Sequence, residues 1–263
     1  MVVITAPIAA EGPFPQGSEV AGPDQLFGIG AAGVGASVAV LDITKLTTAS
    51  IGDHAQVDGK GNGSGLSGIY NGEIPNKLFP QSSVFSDFHG VAVQASSSED
   101  VFTIAAAGAF GIYFGLAGGV AVDLIDSDTT AFVGSGADVN QDSSGTSSQQ
   151  SVNVSAFNNT EVFTFAGGVA GGFVGLAGGV DVGSIRNDTT AYIGTNSRVD
   201  ARANVDVNAL SNKDVVSIAI SAAGGVAAAA GSVTVWSIGG EIDGNYEAQQ
   251  RDGEGDSTPA EAD

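Results

Sequence analysis

The stretch that decides the fold runs from residue 151 to residue 199 and reads SVNVSAFNNTEVFTFAGGVAGGFVGLAGGVDVGSIRNDTTAYIGTNSRV. It begins with apolar and polar residues in alternation, passes through a run rich in Gly and Ala, and ends with TTAYIG before a polar turn. Such alternation is typical of a strand with one buried and one solvated face. Related sequences occur on both sides of this stretch, so its pattern describes most of the chain.

Three short motifs recur along the chain in one fixed order. They are an alternating xVxVxA segment beginning at residues 90, 151 and 204, an xVxV pair, and the sequences TTASIG, TTAFVG and TTAYIG. The first valines of the xVxV pairs are Val38, Val120, Val180 and Val233. Repetition of this kind indicates a solenoid, in which each unit buries its apolar face against the next. We assign four units of roughly 60 residues, near 26–89, 90–150, 151–203 and 204–239.

The repeats are flanked and interrupted by segments of different composition. Residues 1–25 are assigned as an N-terminal extended segment, and residues 26–239 as the solenoid. The first unit contains an insertion at 65–88, and insertions in repeat proteins often form loops on a binding face. The acidic residues 240–263 are predicted to be a disordered tail or a linker. The N-terminus lacks the basic region of a signal peptide, so either a signal was removed or the chain is part of a longer one.

The fold class predicted from these patterns is all-β, a parallel β-helix. The Gly/Ala run at 162–185 is assigned to bent strands rather than a helical hairpin, because each Gly costs a helix about 1 kcal/mol and permits close backbone approach in a strand. Each unit is expected to supply two or three coils. Four units would then give on the order of ten coils and a rod of roughly 50 Å.

Composition narrows the classes of function. The formal charge of −21 argues against nucleic acid and against anionic membrane surfaces, since both need clustered Lys and Arg. The absence of Cys excludes disulfides and thiolate metal sites. No stretch reads as a transmembrane helix, and membrane insertion is not expected. Diffuse attraction of cations, including loosely bound calcium, is the default expectation.

The sequence at 151–199 resembles the Gly/Ala/Val-rich repeats of very large secreted bacterial surface proteins, the filamentous-haemagglutinin-like and leukotoxin-like adhesins. The resemblance covers about residues 26–240. It implies a right-handed parallel β-helix, export to the bacterial cell surface, and a role in adhesion or as a rigid spacer. The secretion domain and membrane anchor usual in that family are not found in this sequence, and the insertion and the acidity depart from a plain repeat.

Parallel β-helices also include polysaccharide-active enzymes. Asp123, Asp126 and Asp128 cluster in the sequence DLIDSD, and clustered carboxylates can act on glycosidic bonds. A polar turn explains the last two without catalysis. The two histidines, His54 and His89, show no metal-ligand spacing. No catalytic, cofactor or metal residue is therefore assigned, and an enzyme is not expected.

The predicted function is a structural or adhesive segment of an extracellular β-solenoid, acting as a rigid spacer or adhesin. Two alternatives remain. The first is a self-assembling filament subunit, because exposed strand edges recruit further chains. The second is a polysaccharide-active enzyme that uses the insertion as a cleft wall. Expected partners are other copies or flanking repeats, with a host-surface or glycan ligand as a further candidate.

Overall fold

A computed structural model describes residues 2–5, 27–73 and 84–239 of the chain. Within these residues the protein is all-β and contains no helix. The predicted tail at 240–263, most of the N-terminal segment at 1–25, and residues 74–83 of the insertion lie outside the described residues. The Gly/Ala run at 162–185 lies in strands, which confirms the choice of strands over a helical hairpin.

Thirteen strands are described, and they differ widely in length. They are β1 (Val2–Thr5), β2 (Phe27–Ile51), β3 (Gln56–Val57), β4 (Ile69–Tyr70), β5 (Val84–Phe85), β6 (Gly90–Val133), β7 (Asp138–Val139), β8 (Ser151–Gly171), β9 (Val174–Arg186), β10 (Thr189–Ile193), β11 (Arg198–Val199), β12 (Val205–Gly224) and β13 (Ala227–Ile238).

The long strands form a largely parallel, nearly closed sheet of β-solenoid type. In the main sheet β6 pairs with β8 along its first half and with β9 along its second half, and every pairing of the sheet is parallel. On their other edges β8 and β9 pair with β12 and β13, and β6 pairs with β2 and β1. We call the four levels of this stack layers 1 to 4, with β2, β6, β8–β10 and β12–β13 in successive layers.

The register of the sheet follows the sequence repeat. Val38 pairs with Val120, Val120 with Val180, and Val180 with Val233, which are the four xVxV positions. Neighbouring units therefore hydrogen-bond directly to one another, and one unit supplies one layer. The expectation of two or three coils per unit is wrong, and so is the rod of ten coils. At about 4.8 Å between strands, four layers give a stack of about 15–20 Å.

Each layer folds back on itself. In layer 2 a first arm, residues 90–110, runs out to a turn at residues 111–113, and a return arm, residues 114–133, runs back along it. We call the turn end of this folded strand pair, residues 101–125 and their paired residues in the other layers, the blade. The other end, closed by the short sheet of β3, β7 and β11, is the base.

The base contains the apolar core predicted by the alternating xVxVxA motif. Val91, Val93, Val152 and Val154 are fully buried there, together with alanines of both arms and Val139 of β7. Burial of these side chains against neighbouring layers is the main stabilisation that repeated units provide to one another. Because valine side chains fill the interior of the base, its two arms are held further apart than those of the blade.

The interior of the blade is much narrower. Ala105, Ala121 and Ala166 form one buried cluster there, and four further alanines form another nearer the turn. A Cβ added to Gly119 would stand only 2.1 Å from the carbonyl oxygen of Ala105 and 2.6 Å from that of Gly167. The two arms thus approach more closely than sheets separated by ordinary side chains, which pack about 10 Å apart.

The narrow interior inverts the expected roles of the xVxV residues. The residue between the two valines, Asp181 in layer 3, points inward and is fully buried. The valines point outward, and Val38, Val40 and Val233 are 47%, 49% and 56% exposed. The prediction that polar residues of the alternation face water is wrong at these positions, where the inward residues are the short side chains of Ala39, Ala121, Asp181 and Thr234.

The described part of the insertion packs on the outside of the base as a small flap, residues 65–73 and 84–88. Its strands β4 and β5 pair antiparallel. The Tyr70 ring lies 4.5 Å from that of Phe157, and Tyr70 also accepts a hydrogen bond from Asn153 Nδ2 through its carbonyl oxygen. The flap therefore covers outward-facing side chains of layers 2 and 3, including Asn153 and Ser155, which are fully buried.

Candidate functional site

A column of polar side chains crosses the layers inside the protein, between base and blade. Its centre is the Glu99 carboxylate, whose side chain is only 3% exposed. Oε1 of Glu99 accepts hydrogen bonds from Ser97 Oγ at 2.7 Å and Ser127 Oγ at 2.9 Å, both in the same layer. Lys45 of layer 1 donates from Nζ to the same oxygen at 3.1 Å. The buried charge is thus paired with a cation and satisfied by hydroxyl groups, as burial of a carboxylate requires.

Layer 3 completes this polar column. Thr160 Oγ1 donates to Glu99 Oε2 at 3.0 Å, and Asn158 Nδ2 lies 3.4 Å from the same oxygen. Asn187 Nδ2 donates to Asn158 Oδ1 at 2.8 Å. All three layer-3 residues are almost completely buried. The hydrogen bonds run along the stacking direction, so they tie adjacent layers together and fix their order.

The column ends in layer 4 at Lys213. This residue pairs with Thr160 in the parallel register and so occupies the position that Glu99 holds in layer 2. Lys213 is half-buried. Within the described part of the chain its ammonium group has no hydrogen-bond or ion-pair partner. The end layer therefore presents an inward-facing cation at the open face of the stack.

Two buried aspartates occupy the narrow interior of the blade. Asp123 accepts hydrogen bonds from Thr103 Oγ1 at 2.7 Å and Thr164 Oγ1 at 2.8 Å. Asp181, one layer further, accepts from Trp236 Nε1 at 2.8 Å. Both aspartates are fully buried. Burial raises the pKa of Asp123, with a smaller contribution from the charge of Asp181, while the two threonine hydroxyls act in the opposite direction.

The carboxylates that the sequence brings together in DLIDSD are separated by the fold. Asp123 points into the blade, whereas Asp126 and Asp128 point outward. Burial, followed by the charges of Asp188 and Asp126, raises the pKa of Asp128. Because the inward and outward carboxylates lie on opposite sides of one strand, they do not flank a common cleft in which a glycosidic bond could bind.

The histidines and the turn residues are used locally. His54 stands in a turn with φ of 54°, and its amide donates to the Ser135 carbonyl oxygen of the next layer. His89 contacts the flap, with Nε2 3.2 Å from Asp87 Oδ1. Asn187, which precedes Asp188 between two strands, donates its side-chain amide to Asn158 and Thr160 inside the polar column. The described residues contain no group of three or more His, Asp or Glu side chains arranged to hold a metal ion.

The buried polar residues were missed in the sequence, although one signal marks them. Glu99 and Ser97 have the same parity as Val101 and Val93, so the period of two places them inside. The parity of Lys213 with Val215 gives the same signal in layer 4. Their partners come from other layers, and the sequence alone does not show which side chains meet.

Comparison with known proteins gave no family. No protein-family model matches this chain, no curated protein is significantly similar to it, and no solved structure matches its fold significantly. Among the described residues no helix has the length and apolar character needed to cross a membrane.

Proposed function

We propose that this chain is a structural segment of an extracellular bacterial β-solenoid, right-handed in its winding, which acts as a rigid spacer or as the scaffold of an adhesin. Its stack of layers is continued beyond layer 4, either by flanking repeats or by another copy of the chain. The observation that carries this proposal is the state of layer 4, whose inward-facing residues match those of the inner layers but have no covering layer among the described residues.

The inward valines of the base show how much less layer 4 is buried than the inner layers. Val152 and Val154 of layer 3 are fully buried, whereas their partners in layer 4, Val205 and Val207, are 44% and 42% exposed. Burying exposed apolar surface is favourable by roughly 25 cal/mol per Å². Another layer in the same register would bury Val205 and Val207 as fully as Val152 and Val154 are buried in layer 3.

The backbone of layer 4 supports the same conclusion. The 20 residues of β12 and the 12 of β13 pair on one edge only among the described residues. A long, regular edge of this kind offers a row of donors and acceptors to another strand. Lys213 adds an ammonium group at the end of the polar column. A carboxylate in a following layer would pair with it, as Glu99 of layer 2 pairs with Lys45 of layer 1.

Stacking can be tested with two matched substitutions in β12. Val207→Lys places an ammonium group inside the open end, whereas Val216→Lys places the same group on the outward side of the same strand. We expect the unmodified chain to form concentration-dependent head-to-tail assemblies in sedimentation velocity, with a reflection near 4.8 Å in fibre diffraction. Val207→Lys should abolish these assemblies and Val216→Lys should leave them intact.

Two results would contradict stacking. One is a chain that stays monomeric at all concentrations and salt levels, both alone and when mixed with a chain of flanking repeats. The other is an assembly larger than a dimer that Val207→Lys does not weaken although circular dichroism shows that this variant remains folded.

A further inference from the structure

The outer surface of the return arm in the blade is a flat apolar face, which we call the valine face. Its rows run along the stacking direction through all four layers, and in layer 2 they are represented by Leu116, Gly118, Val120 and Val122. In the other layers the same rows contain only Val, Leu, Ala and Gly. Val34, Leu116 and Val180 of these rows are 60%, 40% and 39% exposed. No charged side chain interrupts this face.

A groove runs across the valine face between its valine and leucine ridges. Its floor is the row of Ala36, Gly118, Gly178 and Gly231, and its volume is about 660 Å³. One wall is the row of Leu116. Beyond the glycine floor, the next outward row along the strands is that of Val120. The face thus has a ridge beside a groove, and both extend through four layers.

The glycines of the groove floor are not required by the fold of this chain. A Cβ added to Gly118 or Gly178 would have its nearest described neighbour 3.9 Å away, and one added to Gly231 would meet nothing within 4 Å. None of the three has a positive φ. Gly within a strand is destabilising by roughly 0.5–1 kcal/mol relative to Ala. Three such glycines in register mark a place where another surface approaches the backbone closely.

The size of the face fits an interface between proteins. Four layers about 4.8 Å apart and the eleven residues 114–124 at about 3.3 Å each give a face of about 700 Å². This area includes a polar rim at the Leu124 row, where Asp42, Ser184 and Ser237 lie in the other layers. Packing two such faces together would bury about 1,400 Å² in total, which lies within the range of specific, stable interfaces. A contiguous apolar surface of this size on a soluble chain marks an interaction site.

We infer that the valine face binds the valine face of a second copy of this chain, about a two-fold axis parallel to the stacking direction. The axis passes at the level of Gly119, midway between the Gly118 floor and the Val120 ridge. Rotation about it places the Val120 ridge of each copy in the glycine groove of the other. The section 114–124 is centred on the same point, so its two ends also overlap.

The backbone argues against a lipid occupant. β2 in layer 1 and β13 in layer 4 each have one edge that no described strand covers. In hydrocarbon each unsatisfied backbone group costs several kcal/mol, so strands with open edges do not enter a bilayer. Against a second copy these edges stay in water while only the side chains of the face are buried. The net charge of −21 opposes association of copies, and this repulsion weakens as salt is added.

Pairing through the valine face does not involve the open end of layer 4. It can therefore be tested with a chain that cannot stack. In the Val207→Lys background we expect a discrete dimer in sedimentation equilibrium, with tighter association at higher salt. Gly178→Val in that background should raise the dimer Kd at least about fivefold, because overpacking an interface costs about 1–3 kcal/mol. Gly224→Val is the matched control, since a Cβ there also meets nothing within 4 Å but lies at the end of the first arm; it should leave the Kd unchanged.

Cysteine cross-linking tests the axis, since the chain has no Cys of its own. The two-fold axis brings Leu116 of one copy near Val122 of the other, so Leu116→Cys with Val122→Cys in one chain should form covalent dimers on oxidation. Neither single substitution should do so efficiently. Efficient cross-linking by Leu116→Cys alone would overturn the axis.

Three other results would overturn the inference as a whole. The first is that the Val207→Lys chain stays monomeric at all salt levels, and the second is that Gly178→Val does not weaken its dimer. The third is that the chain is monomeric without lipid but floats with phosphatidylcholine vesicles when they are added. An unmodified chain that forms this dimer but no head-to-tail assembly would instead reject only the proposed continuation of the layers.

Discussion

Lys45 Nζ lies 3.1 Å from Glu99 Oε1, and this ion pair joins two successive layers inside the protein. Lys45 is in the return arm of layer 1, and Glu99 is in the first arm of layer 2. Repeats of similar sequence can pair in more than one order, because their apolar residues are nearly interchangeable. A buried pair between two particular layers favours a single order, which is the role for which buried polar contacts are best known.

Replacing Glu99 with Ala should destabilise the protein by about 3 kcal/mol, since it leaves the ammonium group of Lys45 and several buried hydroxyls without their acceptor. Urea unfolding, followed by circular dichroism, measures this loss. Glu99→Gln should cost less because the amide oxygen still accepts from Ser97 or Thr160. Asp100→Ala, on the exposed side of the same strand, serves as the control and should change stability by less than about 0.5 kcal/mol. Equal effects of Glu99→Ala and Asp100→Ala would contradict the role of the column.

Two neighbouring glycines should respond oppositely to the same substitution. Gly119→Ala should unfold or strongly destabilise the blade, because the new Cβ would stand 2.1 Å from a backbone oxygen of the facing arm. Gly118→Ala meets its nearest atom at 3.9 Å and should stabilise the monomer by about 0.5–1 kcal/mol. Thermal unfolding at a protein concentration low enough to keep the chain monomeric compares the two. A tolerated Gly119→Ala would show that the arms are further apart than described.

The repeat in the sequence predicts much of this fold. The spacing of the xVxV valines gives the register of the sheet, and the alternation at Val152 and Val154 correctly places those side chains in the core. The number of layers does not follow, because the period counts the residues of a unit and not how often a unit turns. A unit of about 60 residues can form several short coils or, as in this chain, one long folded layer.

The alternation also fails to say which of its two faces is inside. In GVDV of layer 3 the apolar side would ordinarily be buried, yet Asp181 is the inward residue. The width of the interior decides this, and that width depends on Gly119 and Ala105, which face each other across two arms of the chain. The hydrogen bonds of Asp123 with Thr103 of the facing arm and with Thr164 of the next layer likewise join residues far apart in sequence, so no local pattern predicts them.

Tyr70 should anchor the flap to the base. Its ring packs on Phe157, and its hydroxyl lies 3.3 Å from Ser96 Oγ. Tyr70→Ala should release the flap locally, with a loss of about 1–2 kcal/mol. Hydrogen exchange is the suitable measurement. The amides of Leu66 and Phe88, each of which donates to the carbonyl oxygen of the other residue, should lose protection. Tyr70→Phe keeps the ring and should have a much smaller effect; unchanged exchange in Tyr70→Ala would refute the anchor.

Asp123 should give the stability of the protein a distinctive dependence on pH. Burial raises its pKa above the ordinary value of 3.8, so the folded state takes up a proton at this carboxyl at a higher pH than the unfolded state. The stabilisation from this group is therefore fully present below pH 3.8 and is lost as the pH rises through the folded pKa. Asp123→Asn mimics the protonated form, and should raise the free energy of unfolding at neutral pH while removing this part of the pH dependence.

The comparison needs the wild type and Asp123→Asn side by side, because other carboxylates titrate in the same range. Urea unfolding at neutral and at mildly acidic pH should show a gap between the two proteins that narrows as the pH falls. Asp126→Asn, which alters an exposed carboxylate three residues away, controls for the change in net charge and should show a nearly constant, small gap. An Asp123→Asn variant that is less stable than the wild type at neutral pH, with the deficit shrinking toward acid, would mean that the buried carboxylate is stabilised as the anion. Its threonine donors would then outweigh its burial.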